Sequence, residues 1–492
     1  MILRRSIRTY LGGVGFTLAL VVAWAMPTQA RGPAASRGND LAGQLEKILT
    51  SHGQPKSKVG ARVVELSSGK VLFDLNGEQP MVPASNMKLI VMCAALDALG
   101  KDYQFKTTLA IRANDLVVIG GGDPTLGDER IAQQQGKPIT DLFRTWAAKL
   151  KAAGITHVKG DLVIDDSLFD KQWVHPNWPP PQFQAWYEAP IGGLNFASNC
   201  LDVRVQPTKA GKPGEVSFVP PNALFDVSNK SVTGGKSTVS ASRVRGGDTI
   251  VVSGTVSKDS KLGPISVRDP GMYFGHVFKT VLASNGVRVD GKVVRNSGRL
   301  DATKLPADCR VIDTYKSPLT WALARCGKQS LGMMAEGILK LLGSTTSGVG
   351  SWDSGRAAVK AFLKKAGVPA NQATLDDGSG LSRNNRLSPA ASTSVLQHMY
   401  AAPGGQFEAL LDCLSHAGID GTLEKRMKFP ETKGRVFAKT GYIDGVRTLA
   451  GYVQTKSGKW LAFAFFYNQA SSTKPLTNLQ DQACRVLATY GE

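Results

Sequence analysis

The sequence predicts an α+β protein, in which an antiparallel sheet flanked by helices is interrupted by a β-rich insertion. Three observations support this fold class. The beginning of the chain reads as helix, strand hairpin and helix, and the end reads as helices, strands and a final helix. The stretch between them carries short β-branched runs separated by Gly- and Pro-rich turns. We expect the two ends to form one domain and the middle to form one or two inserted modules.

The N-terminal elements follow from the spacing of apolar residues. Between residues 39 and 51 these residues fall on one helical face, and Gly53 ends the pattern. Two strand-like segments, 61–66 and 71–75, flank a Ser-Ser-Gly-Lys turn, which predicts a hairpin. From Ser85 onward the chain is strongly apolar, and this run predicts a buried helix.

The insertion is predicted to span residues 104–303, between domain segments at 31–103 and 304–492. Its β-branched runs are LVVI at 116–119, GDLVI at 160–164, LDVRV at 201–205 and TIVVS at 249–253. After it, helical patterns lie at 319–325, 331–342 and 357–365, strand patterns at 435–439, 446–454 and 460–467, and a last helix at 476–490.

The first thirty residues read as a signal peptide. Arg4, Arg5 and Arg8 precede the uncharged apolar stretch 11–26, and small residues follow up to Ala30. We expect cleavage near Ala30 and export to the periplasm or the extracytoplasmic cell envelope. An uncleaved membrane anchor and a twin-arginine signal are the alternatives. No later stretch is apolar enough to span a bilayer.

The net charge points to an anionic partner. The 492 residues include 59 Lys and Arg against 39 Asp and Glu, a formal charge of +20, and loss of residues 1–30 with their three arginines leaves +17. The cations are dispersed and match no nucleic-acid-binding motif, so we expect no nucleic-acid partner. An exported basic protein suits an anionic polymer of the envelope, with peripheral association with the membrane surface as a further possibility.

Cysteine and histidine give no sign of a metal or cofactor. The six histidines form no metal-ligand spacing, and no Cys-x-x-Cys pair occurs. Export permits disulfides, and Cys309–Cys326 is the pair that proximity in sequence favours. Cys93 lies in an apolar run and is predicted to be a buried thiol. We therefore predict an enzyme or binding protein without cofactors.

A candidate nucleophile lies at the start of the predicted apolar helix. The tetrapeptide Ser85-Asn-Met-Lys88 places a hydroxyl and an amine side by side, because residues three apart share one helix face. A serine hydroxyl needs a base to become a good nucleophile, and a desolvated lysine can serve. Ser-x-x-Lys alone is also a common chance match.

A second short motif lies at the end of a predicted strand near the C-terminus. Lys439, Thr440 and Gly441 supply a cation, a hydroxyl and an unhindered backbone. Such a strand edge can bind a substrate that carries a carboxylate. Together, Ser-x-x-Lys and Lys-Thr-Gly are typical of β-lactamases and penicillin-binding proteins, which acylate a serine.

With these motifs the chain resembles the class C low-molecular-mass penicillin-binding proteins, a family of D-alanyl-D-alanine carboxypeptidases and endopeptidases. The resemblance extends over nearly the whole mature chain. It rests on blocks in a fixed order: GGGDPTL at 120–126, GDLVID at 160–165, WYEAP at 186–190, LNF at 194–196, RDP at 268–270, DGSGLSRNN at 377–385 and GIDGTL at 418–423. It implies a β-lactamase/transpeptidase-like domain with an insertion after the Ser-x-x-Lys helix.

The resemblance also implies an activity and roles for site residues. The expected reaction is serine-type D-Ala-D-Ala carboxypeptidase or endopeptidase cleavage of peptidoglycan stem peptides, with β-lactams as covalent inhibitors. Ser85 would attack the carbonyl carbon and Lys88 would accept its proton. Lys439 and Thr440 would bind the terminal carboxylate, and the backbone N–H groups of Ser85 and Tyr442 would form the oxyanion hole.

The middle motif departs from the family pattern. Ser330 aligns with the serine of Ser-x-Asn, and Ala335 and Glu336 confirm the register, but Gly332 stands in place of Asn. In the family this Asn orients the lysine of Ser-x-x-Lys and contacts the substrate amide. Ser330 would remain as a proton relay. Two outcomes stay open: a slow or retuned enzyme, or a peptidoglycan-binding protein with impaired turnover. A serine β-lactamase or esterase on the same scaffold is disfavoured by the long insertion.

Other singled-out residues keep two interpretations. The segment 377–385 can face the site, although Gly, Ser and Asn also form ordinary turns. Asp420 and its neighbours can end a helix or contact substrate. Glu336 is expected to pair with a Lys or Arg and is assigned no catalytic role.

Overall fold

A computed structural model of the protein describes residues 41–301 and 304–491. The predicted signal peptide, 1–30, lies outside the described residues. The helices, in chain order, are α1 (Leu41–Thr50), α2 (Met87–Leu99), α3 (Glu129–Gln134), α4 (Asp141–Ala152), α5 (Pro270–Ser284), α6 (Leu319–Lys328), α7 (Gly332–Ser347), α8 (Trp352–Lys365), α9 (Pro389–Tyr400), α10 (Gln406–Cys413) and α11 (Lys474–Ala488).

The strands, in chain order, are β1 (Lys58–Glu65), β2 (Val71–Leu75), β3 (Gln104–Arg112), β4 (Asp115–Ile119), β5 (His157–Val158), β6 (Leu162–Asp165), β7 (Cys200–Gln206), β8 (Glu215–Val219), β9 (Asp226–Thr233), β10 (Ser240–Arg243), β11 (Thr249–Val256), β12 (Ser260–Ser266), β13 (Arg288–Val289), β14 (Val293–Arg295), β15 (Cys309–Pro318), β16 (Ala373–Thr374), β17 (Arg386–Leu387), β18 (Ser415–His416), β19 (Val436–Ile443), β20 (Val446–Gln454) and β21 (Trp460–Asn468). Their pairing defines two regions of the molecule.

The first region is a six-stranded sheet in the order β18-β19-β20-β21-β1-β2, to which both ends of the chain contribute. Every neighbouring pair in it is antiparallel. On β21, Phe463 and Phe465 face a core shared with α1 and α11, whereas Ala462 and Ala464 face a core shared with α2 and the helices around it. This alternation follows from the two-residue period of a strand. The predicted antiparallel sheet flanked by helices is confirmed.

Helix α2 passes through the middle of the larger core. Every residue from Met87 to Leu96 is buried. It contacts α6, α7, α8, α9 and α10. A helix that is apolar on all sides is stable only when it is surrounded in this way. The apolar run after Ser85 therefore fixes the burial of the helix that begins beside it.

The inserted region contributes four strands to a five-stranded sheet in the order β14-β6-β4-β3-β15, whose edge strand β15 follows the insertion. It also contains two three-stranded sheets, β10-β11-β9 and β12-β7-β8. Its own core includes aromatic residues of α4 and α5, among them Phe143, Trp146 and Phe274. Helices α3, α4 and α5 are not indicated by the β-branched runs of the sequence. We propose that the domain segments are 31–103, 104–303 and 304–492, with β15 leading from the insertion into α6.

The cysteines give one confirmation and one correction. Cys93 is a fully buried free thiol, as predicted. The Cys309–Cys326 pairing that proximity in sequence favours is not formed, because both residues are free thiols. Cys309 begins the ten-residue strand β15, and Cys326 lies in the helix that follows it. An extended strand rises about 3.3 Å per residue, so closeness in sequence does not bring the two thiols together.

None of the helices in residues 41–301 and 304–491 is long and apolar enough to cross a membrane.

Candidate active site

Ser85 lies in a short 3₁₀ turn, Ala84–Asn86, that leads into α2. Ala84 has a left-handed backbone with φ of 47°. The loop at 377–385 packs directly against this turn, because a Cβ atom at Gly380 would overlap the Ala84 carbonyl group. One helical turn after the serine, Lys88 Nζ donates a hydrogen bond to Ser85 Oγ over 3.0 Å. The predicted nucleophile and base are therefore in contact.

Lys88 is held inside the protein. Its side chain is 3% exposed, and its Nζ also donates a hydrogen bond to the Ser379 carbonyl oxygen over 2.5 Å. Burial lowers the pKa of Lys88, while the nearby groups of Cys326, Asp377 and Glu336 act in the opposite direction. A lowered pKa favours the neutral amine that a proton acceptor requires.

The Lys439–Gly441 motif lies on the edge of the six-stranded sheet. The short strand β18 pairs only with Phe437 and Ala438 of β19. Among the described strands, β19 therefore has no partner on this edge from Lys439 onward. Such an edge presents backbone hydrogen-bonding groups to an extended peptide.

Lys439 is fully buried and contacts the middle motif. Its Nζ donates hydrogen bonds to Ser330 Oγ and to the Thr440 carbonyl oxygen, both over 2.8 Å. Burial lowers the pKa of Lys439 to about 7, and repulsion from Lys88 adds to the shift. Within the described part of the chain, no carboxylate forms an ion pair with it. Burial raises the pKa of the neighbouring Cys326 thiol to about 11, whereas the charges of Lys88 and Lys439 act in the opposite direction.

Gly441 has a packing reason to be glycine. A Cβ atom there would overlap Thr448 Oγ1 and would lie 2.9 Å from the Pro83 carbonyl oxygen. Contacts this close do not occur between real atoms of these types. The missing side chain thus lets β19 approach the segment that carries Ser85, so the glycine sets the distance between the two motifs.

Ser330 lies between α6 and α7, with a left-handed backbone of φ 60°. A non-glycine residue in this region is strained by about 1–3 kcal/mol, and such strain is found mainly at functional sites. Ser330 lines a cleft of about 980 Å³ together with Ser85, Lys88 and Tyr442. Because Lys439 and Ser330 are hydrogen-bonded, the three motifs meet in this cleft.

Gly332, the residue that departs from the family pattern, also lines the cleft, as the first residue of α7. A Cβ atom at this position would lie 3.4 Å from Ser379 Cβ and 3.6 Å from the Tyr187 carbonyl oxygen. Both are ordinary van der Waals distances. A side chain could therefore start from position 332 without displacing the backbone.

Sequence reasoning did not identify Ser379 as a contact of Lys88. The expectation that Glu336 pairs with a Lys or Arg is wrong, because its oxygens accept hydrogen bonds from Trp352, Gly378 and Ser379. Burial raises the pKa of Glu336 to about 7 and the neighbouring Asp377 adds to this, whereas the three donors act against it. The DGSGLSRNN block was the available signal, and its ambiguity came from Gly and Ser being common in turns.

The insertion contributes a wall of the cleft. Trp178, Trp186 and Tyr187 line it, and Trp186 remains 43% exposed. Trp178 Nε1 donates a hydrogen bond to Asp377 Oδ2 over 2.8 Å, which joins the insertion to the loop at 377–385. These aromatic residues were visible in the sequence only as part of a loop and of the WYEAP block.

The segment around Asp420 contacts the end of α6 and the Lys439–Gly441 motif. Asp420 accepts a hydrogen bond from Lys328 Nζ over 2.6 Å, and Thr422 Oγ1 accepts one from Thr440 Oγ1 over 2.9 Å. Asp420 therefore ties the end of α6 to this segment, and Thr422 fixes the hydroxyl of the strand motif. Among the described residues, no group of three or more His, Cys, Asp or Glu is arranged to bind a metal ion.

Comparison with known proteins assigns the family. The D-Ala-D-Ala carboxypeptidase 3 (S13) family matches residues 41–490. The chain belongs to this family. A D-alanyl-D-alanine carboxypeptidase of Actinomadura sp. (strain R39) is 32% identical over 510 residues, which cover 97% of this chain and 91% of that protein. The D-alanyl-D-alanine carboxypeptidase DacB of Haemophilus influenzae is 28% identical over 444 residues, covering 86% and 88%.

Solved structures agree on the fold. The crystal structure of penicillin binding protein 4 (dacB) from H. influenzae superimposes with a TM-score of 0.73 at 24% identity, covering 91% of this chain and 99% of that one. The same protein complexed with a β-lactam gives a TM-score of 0.68. The predicted resemblance to penicillin-binding proteins is confirmed, and with it the prediction of a serine-type D-Ala-D-Ala carboxypeptidase.

Proposed function

We propose that the protein cleaves D-Ala-D-Ala ends or cross-links of peptidoglycan stem peptides through an acyl-enzyme on Ser85. One observation carries this proposal. Ser85 and Lys88 line a cleft and are hydrogen-bonded over 3.0 Å, and Ser330, which lines the same cleft, is hydrogen-bonded to Lys439 over 2.8 Å. A nucleophile with an adjacent base, facing a cation and a hydroxyl, is the arrangement that acyl transfer to serine requires.

In the acylation step, Ser85 Oγ attacks the carbonyl carbon of the penultimate D-Ala while Lys88 accepts the hydroxyl proton. The negative oxygen that forms is stabilised by the backbone N–H groups of Ser85 and Tyr442. The C–N bond then breaks, and a proton passes by way of Ser330 to the leaving nitrogen. D-Ala, or the second strand of a cross-link, departs as an amine, and the peptide remains as an ester of Ser85.

Deacylation reverses these proton transfers. Water attacks the ester carbonyl, Lys88 accepts its proton, and the proton returns to Ser85 as the C–O bond breaks.

Lys439 and Thr440 bind the terminal carboxylate of the incoming peptide. The unpaired edge of β19 runs beside them, which supports an extended peptide alignment along this strand.

We extend the proposal to β-lactams and to cellular location. A β-lactam presents a reactive amide and a carboxylate, so it would acylate Ser85 in the same way and inhibit the enzyme. The substrate is in the cell envelope, which fits cleavage of residues 1–30 as a signal peptide and work in the periplasm. The +17 charge of the mature chain suits this anionic surrounding.

Mass spectrometry after exposure to a fluorescent penicillin tests the acylation step. We expect one covalent label on the wild type and none on Ser85→Ala. Ser382→Ala, which removes a cleft hydroxyl that takes no part in the proposed reaction, is the matched control and should retain the label. A wild type that stays unlabelled at every dose would overturn the acyl-enzyme.

The substitution at position 332 supports a second candidate, a peptidoglycan-binding protein with impaired turnover. Chromatography of muropeptides separates the two. Release of D-Ala by the wild type supports the carboxypeptidase, and release of single strands from cross-linked dimers supports the endopeptidase. Binding without any release, together with recovery of release in Gly332→Asn, would favour the impaired protein.

A further inference from the structure

Glu336 is a fully buried carboxylate on α7 whose partners are N–H donors rather than cations. Its Oε1 accepts a hydrogen bond from Ser379 N over 2.7 Å. Its Oε2 accepts hydrogen bonds from Gly378 N over 2.9 Å and from Trp352 Nε1 over 2.8 Å. A buried carboxylate is costly unless donors of this kind surround it. Two of these three hydrogen bonds come from the loop at 377–385.

The same loop contains a second buried carboxylate. Asp377 accepts hydrogen bonds from Gly380 N, Ser382 N and Trp178 Nε1, each over 2.8 Å. Asn385 Nδ2 donates a further one over 2.6 Å. Glu336 therefore fixes the loop to α7, and Asp377 fixes its internal shape and its contact with the insertion.

The loop at 377–385 also contacts Lys88, the proposed base. The Ser379 N–H group bonds Glu336, and the Ser379 carbonyl oxygen accepts the 2.5 Å hydrogen bond from Lys88 Nζ. Among the residues that the structure describes, Lys88 has one other hydrogen-bond partner, Ser85 Oγ. The direction of the amine toward Ser85 thus depends on where the Ser379 carbonyl lies.

Position 332 explains why this carbonyl matters in this chain. Gly332 has no side chain that could orient Lys88, and its Cα faces Ser379, whose Cβ would lie 3.4 Å from an added Cβ. The loop therefore lies beside the place from which an Asn side chain would extend. Within residues 41–301 and 304–491, the Ser379 carbonyl is the group besides Ser85 Oγ that accepts a hydrogen bond from the amine.

We propose that Glu336 is a positioning residue for the reaction, which orients Lys88 through the Ser379 backbone and thereby replaces the amide that is missing at position 332. This inference rests on the proposed acyl-enzyme at Ser85.

Trp352, the third donor to Glu336, packs against Lys340. The Lys340 Nζ lies 3.9 Å from the centre of the indole ring and donates a hydrogen bond to Asp170 of the insertion over 2.7 Å.

The test compares two variants at the same carboxylate. In Glu336→Gln one oxygen becomes an NH₂ group, so at least one loop N–H group faces a donor. Misplacing a reacting group by about 1 Å can cost 10²-fold, and we expect kcat and the β-lactam acylation rate to fall roughly 10- to 100-fold with KM within twofold. Trp352→Phe is the matched control. It removes one donor but leaves both loop bonds, and kcat should change less than threefold.

A rescue experiment separates positioning from damage to the fold. Gly332→Asn should raise kcat less in the wild type than in the Glu336→Gln background, because Lys88 is already oriented in the wild type. In the Glu336→Gln background the same substitution should recover at least tenfold, since the Asn amide can orient the lysine directly. Thermal unfolding of all variants is measured alongside, and similar melting temperatures are expected for the Glu336→Gln single and double variants.

Several results would overturn the inference. These are equal losses in Glu336→Gln and Trp352→Phe, no recovery in the double variant, or a tenfold gain from Gly332→Asn alone. If Glu336→Gln does not fold, the comparison of kcat between Gly332→Asn and the wild type still tests the inference. A wild type that forms no acyl-enzyme would overturn the proposed function and this inference together, whereas a labelled wild type with an equally active Glu336→Gln variant would overturn the inference alone.

Discussion

The two lysines of the site are both buried but have different surroundings. Lys88 lies near two carboxylates, Glu336 and Asp377, and donates to a backbone carbonyl that the protein fixes in place. Lys439 donates to Ser330 and to its neighbour's carbonyl, and within residues 41–301 and 304–491 no carboxylate forms an ion pair with it. One lysine has its partners built into the fold, and the other lacks an anionic partner.

This difference accounts for two roles. A base must be aimed at its serine before substrate arrives, which the internal contacts of Lys88 achieve. A binding residue must keep its charge available, and a buried cation without an anion is costly until one is supplied. The terminal carboxylate of a stem peptide is the anion that would complete the Lys439 site.

The largest effect is expected from removing the base. Lys88→Met retains length and apolar volume but cannot accept the Ser85 proton, and loss of general base catalysis costs about 10²- to 10⁴-fold. Stopped-flow acylation by a fluorescent penicillin measures the rate. Retention of more than a tenth of the wild-type rate would contradict the assignment of Lys88 as the base, and with it the difference in role between the two lysines.

Removing the binding lysine should cost roughly 10² in kcat/KM and only for substrates that carry the carboxylate, because a charged hydrogen-bonded contact is lost. The measurement compares Lys439→Met and wild type on a D-Ala-D-Ala peptide and on the same peptide with an amide end. The wild type should prefer the acid strongly, and the variant should treat both alike. An equal loss on both peptides would show that Lys439 acts in the chemistry instead.

The pH dependence sharpens the same distinction. Because the pKa of Lys439 is lowered to about 7, this residue is cationic below that pH and becomes neutral above it. Binding of the free-acid peptide should therefore weaken above pH 7, by up to about tenfold per pH unit, while the amide peptide shows no such change. Substrate dissociation constants from pH 5 to 9 check this, and a flat profile for the acid would contradict it.

The smallest effect concerns the distance between the two motifs. Gly441→Ala forces β19 away from the segment before Ser85, and overpacking of this kind costs about 1–3 kcal/mol of unfolding free energy. Thermal denaturation measures it. Gly298→Ala is the control, because a Cβ atom there meets nothing within 4 Å. Equal melting temperatures for the two variants would show that the close approach at Gly441 is not required.

Local patterns carried much of the fold. Strand alternation predicted β1, β2, β20 and β21 within a few residues, and the run after Ser85 predicted the buried helix α2. The insertion's helices were not predicted, because the β-branched runs of this segment favour strands. Helix α5 is nevertheless a regular helix of 15 residues that begins at Pro270, with Asp269 as its N-cap. The Cys309–Cys326 disulfide is absent because the number of residues between two cysteines does not determine the distance between their thiols when an extended strand lies between them.

By itself, the sequence determined the Ser85–Lys88 pair, since residues three apart on a helix are neighbours whatever surrounds them. It also determined the antiparallel sheet, through the two-residue period of its strands. Only the tertiary structure decided that the Ser379 carbonyl reaches Lys88, 291 residues away, and that Lys439 reaches Ser330, 109 residues away. Such contacts depend on how separate elements pack, and no local pattern records that.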